Sequence, residues 1–236
     1  MRVSLFFLLL SVLAIGVVPL RAQNAINVFP QVADGVFGQG SYKTAFLVLP
    51  LDEDSPPATC TLVTRGLALN LDGRGPATRW TMTITQGGFF VGVSSADQEL
   101  RSGYAVLTCD DLVYAQAIYS YYGKDGTKLA EATVFASDGD FGGSEYRLIA
   151  DQRGSQLGLA FANDTDSPRT YRVTVGSQTA SITVPARSSL PRFLTEIIPS
   201  SANTVAAVKI ESPDFSDFFV IGLRYTGGIF TTMPAN

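Results

Sequence analysis

The sequence predicts an all-β protein: two tandem immunoglobulin- or fibronectin-like β-sandwich domains behind a cleaved signal peptide. Three observations carry this. Short runs rich in Val, Ile, Thr, Tyr and Phe recur about every 10–15 residues, between clusters of Gly, Pro, Asp, Asn and Ser. Past the first 22 residues, no window sustains an i, i+3, i+4, i+7 apolar pattern, apart from a short helical turn expected around 193–197. The chain also repeats itself. Asp52-x-Asp54-Ser55-Pro56 returns as Asp164-x-Asp166-Ser167-Pro168, and Phe29-Pro-Gln-Val-Ala-Asp34 is echoed by Tyr146-Arg-Leu-Ile-Ala-Asp151.

Residues 1–22 read as an export signal. Arg2 supplies the basic start, Val3 to Val18 is almost wholly apolar, and Ala22 offers a small residue before the cut. The run is shorter than the ~20 apolar residues of a membrane-spanning helix and ends at Pro19. No cysteine follows it closely enough to take a lipid, and no later segment is long and apolar enough to span a bilayer. The mature chain is therefore expected to be secreted or periplasmic, without a membrane span.

The first domain, 23–136, holds expected strands near 42–49, 58–65, 79–85, 88–94, 103–109, 113–121 and 128–135. A Gly/Asp-rich linker, Ser137-Asp-Gly-Asp-Phe-Gly-Gly143, leads to the second domain, 144–236. Its strands are expected near 145–150, 156–162, 169–175, 179–184, 204–211, 218–225 and 229–232. Further echoes keep the same order: Thr83-Ile-Thr85 with Ser181-Ile-Thr183, Ala105-Val106 with Ala207-Val208, and Ala117-Ile118-x-x-x-Tyr122 with Val220-Ile221-x-x-x-Tyr225. Matches in one order across about 90 residues favour a duplicated module; a solenoid repeat would be about 20–50 residues.

Charge and composition narrow the chemistry. Removing Arg2 and Arg21 leaves 15 basic against 21 acidic residues, a net charge of −6. An acidic chain with scattered Lys and Arg lacks the basic stripe that nucleic acid requires. There is no histidine. Ser-His and Cys-His nucleophile pairs, His-ligated zinc and the usual general base near neutral pH are thereby excluded.

Cys60 and Cys109 are the two cysteines, and an exported protein joins such a pair as a disulfide. Following the repeat, Cys60 lands on Arg172 and Cys109 on Glu211, so a covalent pair in one copy meets an opposite-charge pair in the other. Both pairs require their strands to be neighbours. Alternation points Tyr171, Val173, Val175, Val208 and Ile210 inward and leaves Arg172, Thr174, Lys209 and Glu211 outside. An exposed Arg172–Glu211 salt bridge contributes little. Carried to the first copy, the outward set is Cys60, Leu62, Leu107 and Cys109, with Tyr119 and Tyr121 on the next strand. Leu62, Leu107, Tyr119 and Tyr121 thus form a candidate contact face, against the second domain or an external partner. The competing reading reverses the faces of the first copy.

Carboxylates are the acid/base candidates left: Asp52-Glu-Asp54, Asp110-Asp111, Asp138-Gly-Asp140, Asp164-x-Asp166 and Asp214-x-x-Asp217. Two of them could run glycoside hydrolysis. Asp138, Asp140 and Glu145 are the nearest approach to a calcium site, with spacing unlike an EF-hand. Capping of tight turns explains such residues more simply, so no metal and no cofactor is expected. Asn163-Asp-Thr165 is a formal glycosylation sequon. Aromatics reach 11% and concentrate in strands, where core packing competes with stacking on sugar rings.

Phe29-Pro-Gln-Val-Ala-Asp-Gly35, the Asp-rich turn after an apolar strand, and the closing Gly222-Leu-Arg-Tyr-x-Gly-Gly-x-Phe-Thr-Thr-x-Pro234 resemble a group of uncharacterised exported bacterial proteins with tandem β-sandwich units. The resemblance implies export and a β-sandwich fold, and transfers no catalytic residue. The expectation is a non-enzymatic exported protein acting in binding, adhesion or cell-surface architecture, with a protein or glycan at the cell surface as partner. A glycan-binding module is the alternative, and a carboxylate-dependent glycoside hydrolase the third reading.

Overall fold

The computed structural model describes residues 25–52, 54–138, 145–212, 218–227 and 229–233. The export signal therefore lies outside the described residues. What is described is all-β and antiparallel. In the first half of the chain the strands are β1 (Ala25–Phe37), β2 (Gly40–Pro50), β3 (Ala58–Arg65), β4 (Leu69–Asn70), β5 (Pro76–Ala77), β6 (Arg79–Ile84), β7 (Phe90–Val93), β8 (Arg101–Cys109), β9 (Val113–Tyr122), β10 (Lys128–Phe135) and β11 (Ser137–Asp138). The second half supplies β12 (Glu145–Asp151), β13 (Gln156–Asn163), β14 (Arg169–Val175), β15 (Gln178–Val184), β16 (Ser188–Phe193), β17 (Val205–Glu211), β18 (Phe219–Thr226) and β19 (Ile229–Met233). One helical turn, α1 (Leu194–Ile197), falls where a turn was expected.

The second half is two four-stranded sheets, β12–β17–β14–β15 and β16–β13–β18–β19, facing each other across a core of Leu148, Leu159, Phe161, Tyr171, Val173 and Ile210. The first half follows the same path. β1, β8, β3 and β6 lie side by side in the order of β12, β17, β14 and β15, while β7, β2, β9 and β10 match β16, β13, β18 and β19. The difference is β1. Its first ten residues pair with β8, and Gly35–Phe37 then crosses to pair with β2, joining both layers through one strand. Gly35 sits at the crossing with φ +126°, where a Cβ would fall 2.6 Å from the Glu99 carbonyl oxygen. A bulge between Phe29 and Val32 accommodates Pro30, which has no N–H for a ladder.

β1 was not among the expected strands. Pro30 interrupts it, and its central residues are buried on both faces, so it shows no alternation. β16, with Pro191, was missed for a similar reason. The expected linker also differs in part. Ser137 and Asp138 form β11, paired with Val28 and Asn27 of β1, while residues 139–144 lie outside the described residues.

The two halves share their interior. Ala160, Ile221, Leu223 and Phe230 of the second half enter the core of the first, and Ala162 and Phe219 pack with Val28, Tyr104 and Val106. The centre of the sheet β16–β13–β18–β19, strands β13 and β18, is thus buried on both faces, while the edge strands β16 and β19 stay partly exposed. The two central strands read as unbroken apolar runs, Leu157 to Ala162 and Phe218 to Leu223, as double burial requires.

Candidate functional site

Cys60 and Cys109 are disulfide-bonded cross-strand partners, their Cα atoms 4.1 Å apart. Arg172 and Glu211 are cross-strand partners too, with Arg172 Nε 3.1 Å from Glu211 Oε2 and Lys209 Nζ 3.0 Å from Glu211 Oε1. Lys209 and then Arg172 hold the Glu211 carboxyl below its ordinary value. The neighbouring of these strands is as expected in both halves. Their faces are not alike: the disulfide is inside, and the ion pair is outside.

This corrects the candidate contact face. Cys60, Leu62, Leu107 and Cys109 are buried in the first core, so they match inward pairs such as Val173–Ile210 rather than Arg172–Glu211. The repeat alignment is out of step by one residue, and in a strand one residue inverts every side chain. Tyr119 is buried and Tyr121 half-buried on the same inner face. They do meet the second half there. Tyr119 lies 4.9 Å from the Phe230 ring, within a cluster that includes Tyr42, Tyr121 and Tyr225. Burial, and secondarily the nearby Tyr225 and Tyr42, pushes the Tyr119 hydroxyl well above its ordinary range.

The bare apolar surface of the first half is the opposite side of the same sheet. Alternation and register place Ala45, Leu47 and Leu49 of β2 beside Val91 and Val93 of β7, and beside Tyr114, Gln116 and Ile118 of β9, with Thr133 and Phe135 of β10 beyond. Tyr114 is 61% exposed, Phe135 55% and Leu49 44%. Gln116 and Thr133 are its polar members, and neither carries charge. Four strands about 4.8 Å apart and five residues deep at about 3.4 Å cover about 320 Å². Phe89 and Leu112, both exposed just before β7 and β9 begin, extend it, within the roughly 300–600 Å² typical of a monomer's largest apolar patch.

A second feature is a cleft of about 250 Å³ at the seam between the halves. Its floor is the outward side of the sheet β16–β13–β18, where the first half leaves it open: Gly158, Ala160, Pro191, Phe193, Leu223 and Tyr225. Gln31 walls it from the β1 bulge, and Arg192 and Glu196 stand at its rim. Tyr225 and Phe193 meet edge to face at 5.6 Å. Burial, then Tyr42, pushes the Tyr225 hydroxyl up to about 12, so it remains a neutral donor at physiological pH.

Of the candidate carboxylates, Glu53, Asp214 and Asp217 lie outside the described residues, and Asp52, Asp54, Asp110 and Asp111 stay at turns. Asp52 Oδ1 accepts the Asp54 N–H and the Ser55 hydroxyl, and Asp110 Oδ1 accepts the Thr59 N–H at 2.6 Å. Glu196 is the one carboxylate among the described residues lining the cleft. Of the calcium candidates, Asp138 pairs through its backbone with Asn27, Asp140 lies outside the described residues, and Glu145 is ion-paired with Arg147. Among the described residues no three metal-binding side chains converge. The sequon is no acceptor in the folded chain. Asn163 is fully buried, and its Nδ2 donates to the carbonyls of Ser167, Val184 and Pro185.

Compared with known family models and with curated proteins, the chain matches none. No helix among the described residues is long and apolar enough to cross a membrane.

Proposed function

We propose that this is an exported, non-enzymatic binding protein of the cell surface, built from two copies of an immunoglobulin- or fibronectin-like sandwich. The working surface is the outer face of β7–β2–β9–β10. One observation carries the reading: that face is apolar, uncharged at its centre and left bare by the described residues, whereas the centre of the matching face of its twin, on β13 and β18, packs into the core of the first half. The shared core fixes the orientation of the face, because a hinge between the halves would open an apolar seam. A buried disulfide supports an oxidising compartment.

The test uses the mature protein and whole cells of its source. Leu49→Lys with Tyr114→Lys changes two exposed side chains and leaves the core intact. Surface association should fall at least tenfold, about the effect of losing a central contact. Equal association of the wild type and the double variant overturns the reading.

A further inference from the structure

We propose that the cleft at the seam is a second, separate binding site, and that it takes a single hydroxylated ring, such as the terminal pyranose of a glycan. The inference does not depend on the apolar outer face.

Gln31 is the starting point. It is 8% exposed, and its Oε1 has no hydrogen-bond partner among the described residues. A buried acceptor left unpaired costs free energy unless something arrives to satisfy it. The residue is also placed deliberately. It sits in the bulge between Phe29 and Val32, and a bulge re-aims a side chain that regular pairing would direct elsewhere. Gln31 lines the cleft, and the terminal torsion of a glutamine is broad, so its carboxamide can turn to meet a ligand there.

The remaining walls define the ligand. Phe193, Tyr225, Leu223, Ala160 and Pro191 offer an apolar floor, while Gly158 keeps that floor low: a Cβ there would approach the Tyr225 ring at 3.1 Å. Around it stand an amide acceptor at Gln31 and a carboxylate at Glu196, while the Arg192 guanidinium donates to the Pro191 carbonyl at 2.9 Å. Glu196 is already oriented, its Oε2 accepting the Phe193 N–H at 2.6 Å. A purely apolar ligand would leave Gln31 unsatisfied, and an anion would meet Glu196. A polyol ring gives hydroxyl donors to Gln31 and Glu196 and a C–H face to the aromatic floor. At about 250 Å³ the cleft is below the usual range of about 300–1,000 Å³ for drug-sized ligands, which suits one ring rather than a chain.

Amide NMR of the mature protein, titrated with methyl glucopyranoside, methyl galactopyranoside and N-acetylglucosamine, tests the site. At least one should shift resonances of Gly158, Phe193 and Tyr225, with Kd about 1 mM. Gln31→Leu keeps the side-chain bulk and removes only the unpaired amide, so it folds and should weaken binding at least about tenfold. Phe193→Ala, at a partly exposed position, should do the same. Three results would each overturn the proposal. These are no cleft resonance shifting with any of the three sugars, Gln31→Leu binding as well as the wild type, or a sugar-soaked crystal with only an ordered water against Gln31.

Discussion

In the first half, the motif at Asp52 closes on itself: Asp52 Oδ1 takes the Asp54 N–H at 3.0 Å and the Ser55 hydroxyl at 3.0 Å, and Asp52, Asp54 and Pro56 face solvent. In the second half, Asp164 of the same motif is turned to the seam. It accepts the hydroxyl of the fully buried Tyr104 at 2.7 Å, and Arg187 binds both Asp164 and Asp166 at 2.9 Å. Burial, and then Asp164, pushes the Tyr104 hydroxyl well above its ordinary range. The same four letters therefore serve as a plain turn in one place and as the polar tie between the halves in the other. Local chemistry sets the turn; position in the whole decides what the spare oxygens bind.

The interiors differ in the same way, one holding a disulfide where the other holds Val173 opposite Ile210. The largest expected effect probes that contrast. Replacing Cys60 and Cys109 together by Ala should cost about 4 kcal/mol, from a loop spanning a separation of 49 residues, in urea unfolding of the oxidised protein. A loss below about 1 kcal/mol would mean that the seam, not the disulfide, secures the first half. Phe230→Ala should cost about 3–5 kcal/mol and leave one cooperative transition, because this ring belongs to the core of the other half. Two separate transitions would show that the halves fold independently.

The loops themselves give the next contrast. Tyr104→Phe removes a buried hydrogen bond to a carboxylate and should cost about 1.5–3 kcal/mol. Asp52→Ala should cost about 1 kcal/mol or less. Equal losses would erase the distinction drawn between the two motifs.

The smallest effect concerns Asp34, fully buried at the β1 crossing, where it accepts the Ala96 N–H at 3.0 Å. Desolvation raises its carboxyl above the ordinary 3.8, outweighing hydrogen bonds from Ser94, Ala96 and Gln98. The folded state then binds this proton more tightly than the unfolded chain. Its contribution is full below 3.8 and is lost as pH rises through the raised folded value. Asp34→Asn keeps an acceptor for Ala96 and cannot ionise. The difference in urea midpoint between wild type and variant should therefore move in the variant's favour from acid to neutral pH, and a difference independent of pH would refute this.

The strands were legible wherever one face met water. β3, β10 and β14 alternate, and their limits coincide with the expected runs. Faces became illegible where both sides are apolar. In Ala45-Phe-Leu-Val-Leu-Pro50 every position is hydrophobic or small, so alternation carries no sign, and the bare face of Leu47 and Leu49 could not be told from the core face of Phe46 and Val48. The disulfide pairing followed from having two cysteines. Its burial did not, since an alignment shifted by one residue reverses inside and outside. The signal for the seam was present in the unbroken runs of β13 and β18, which mark strands enclosed on both sides. The cleft had no such signal, because Gln31 is set by a bulge and its neighbours come from four separate segments.

β1 leaves the ribosome before any other described strand, yet only its last three residues find their partner, β2, at once. It needs β8, more than sixty positions later in the chain, and side chains of β13 and β18 beyond that. Such distant partners slow a chain's final collapse. A polypeptide built this way stays threadable until nearly all of it has been made, the condition a narrow translocation pore imposes on its cargo. Under the export proposed above, the same strand that locks the finished molecule would delay the locking until passage is complete.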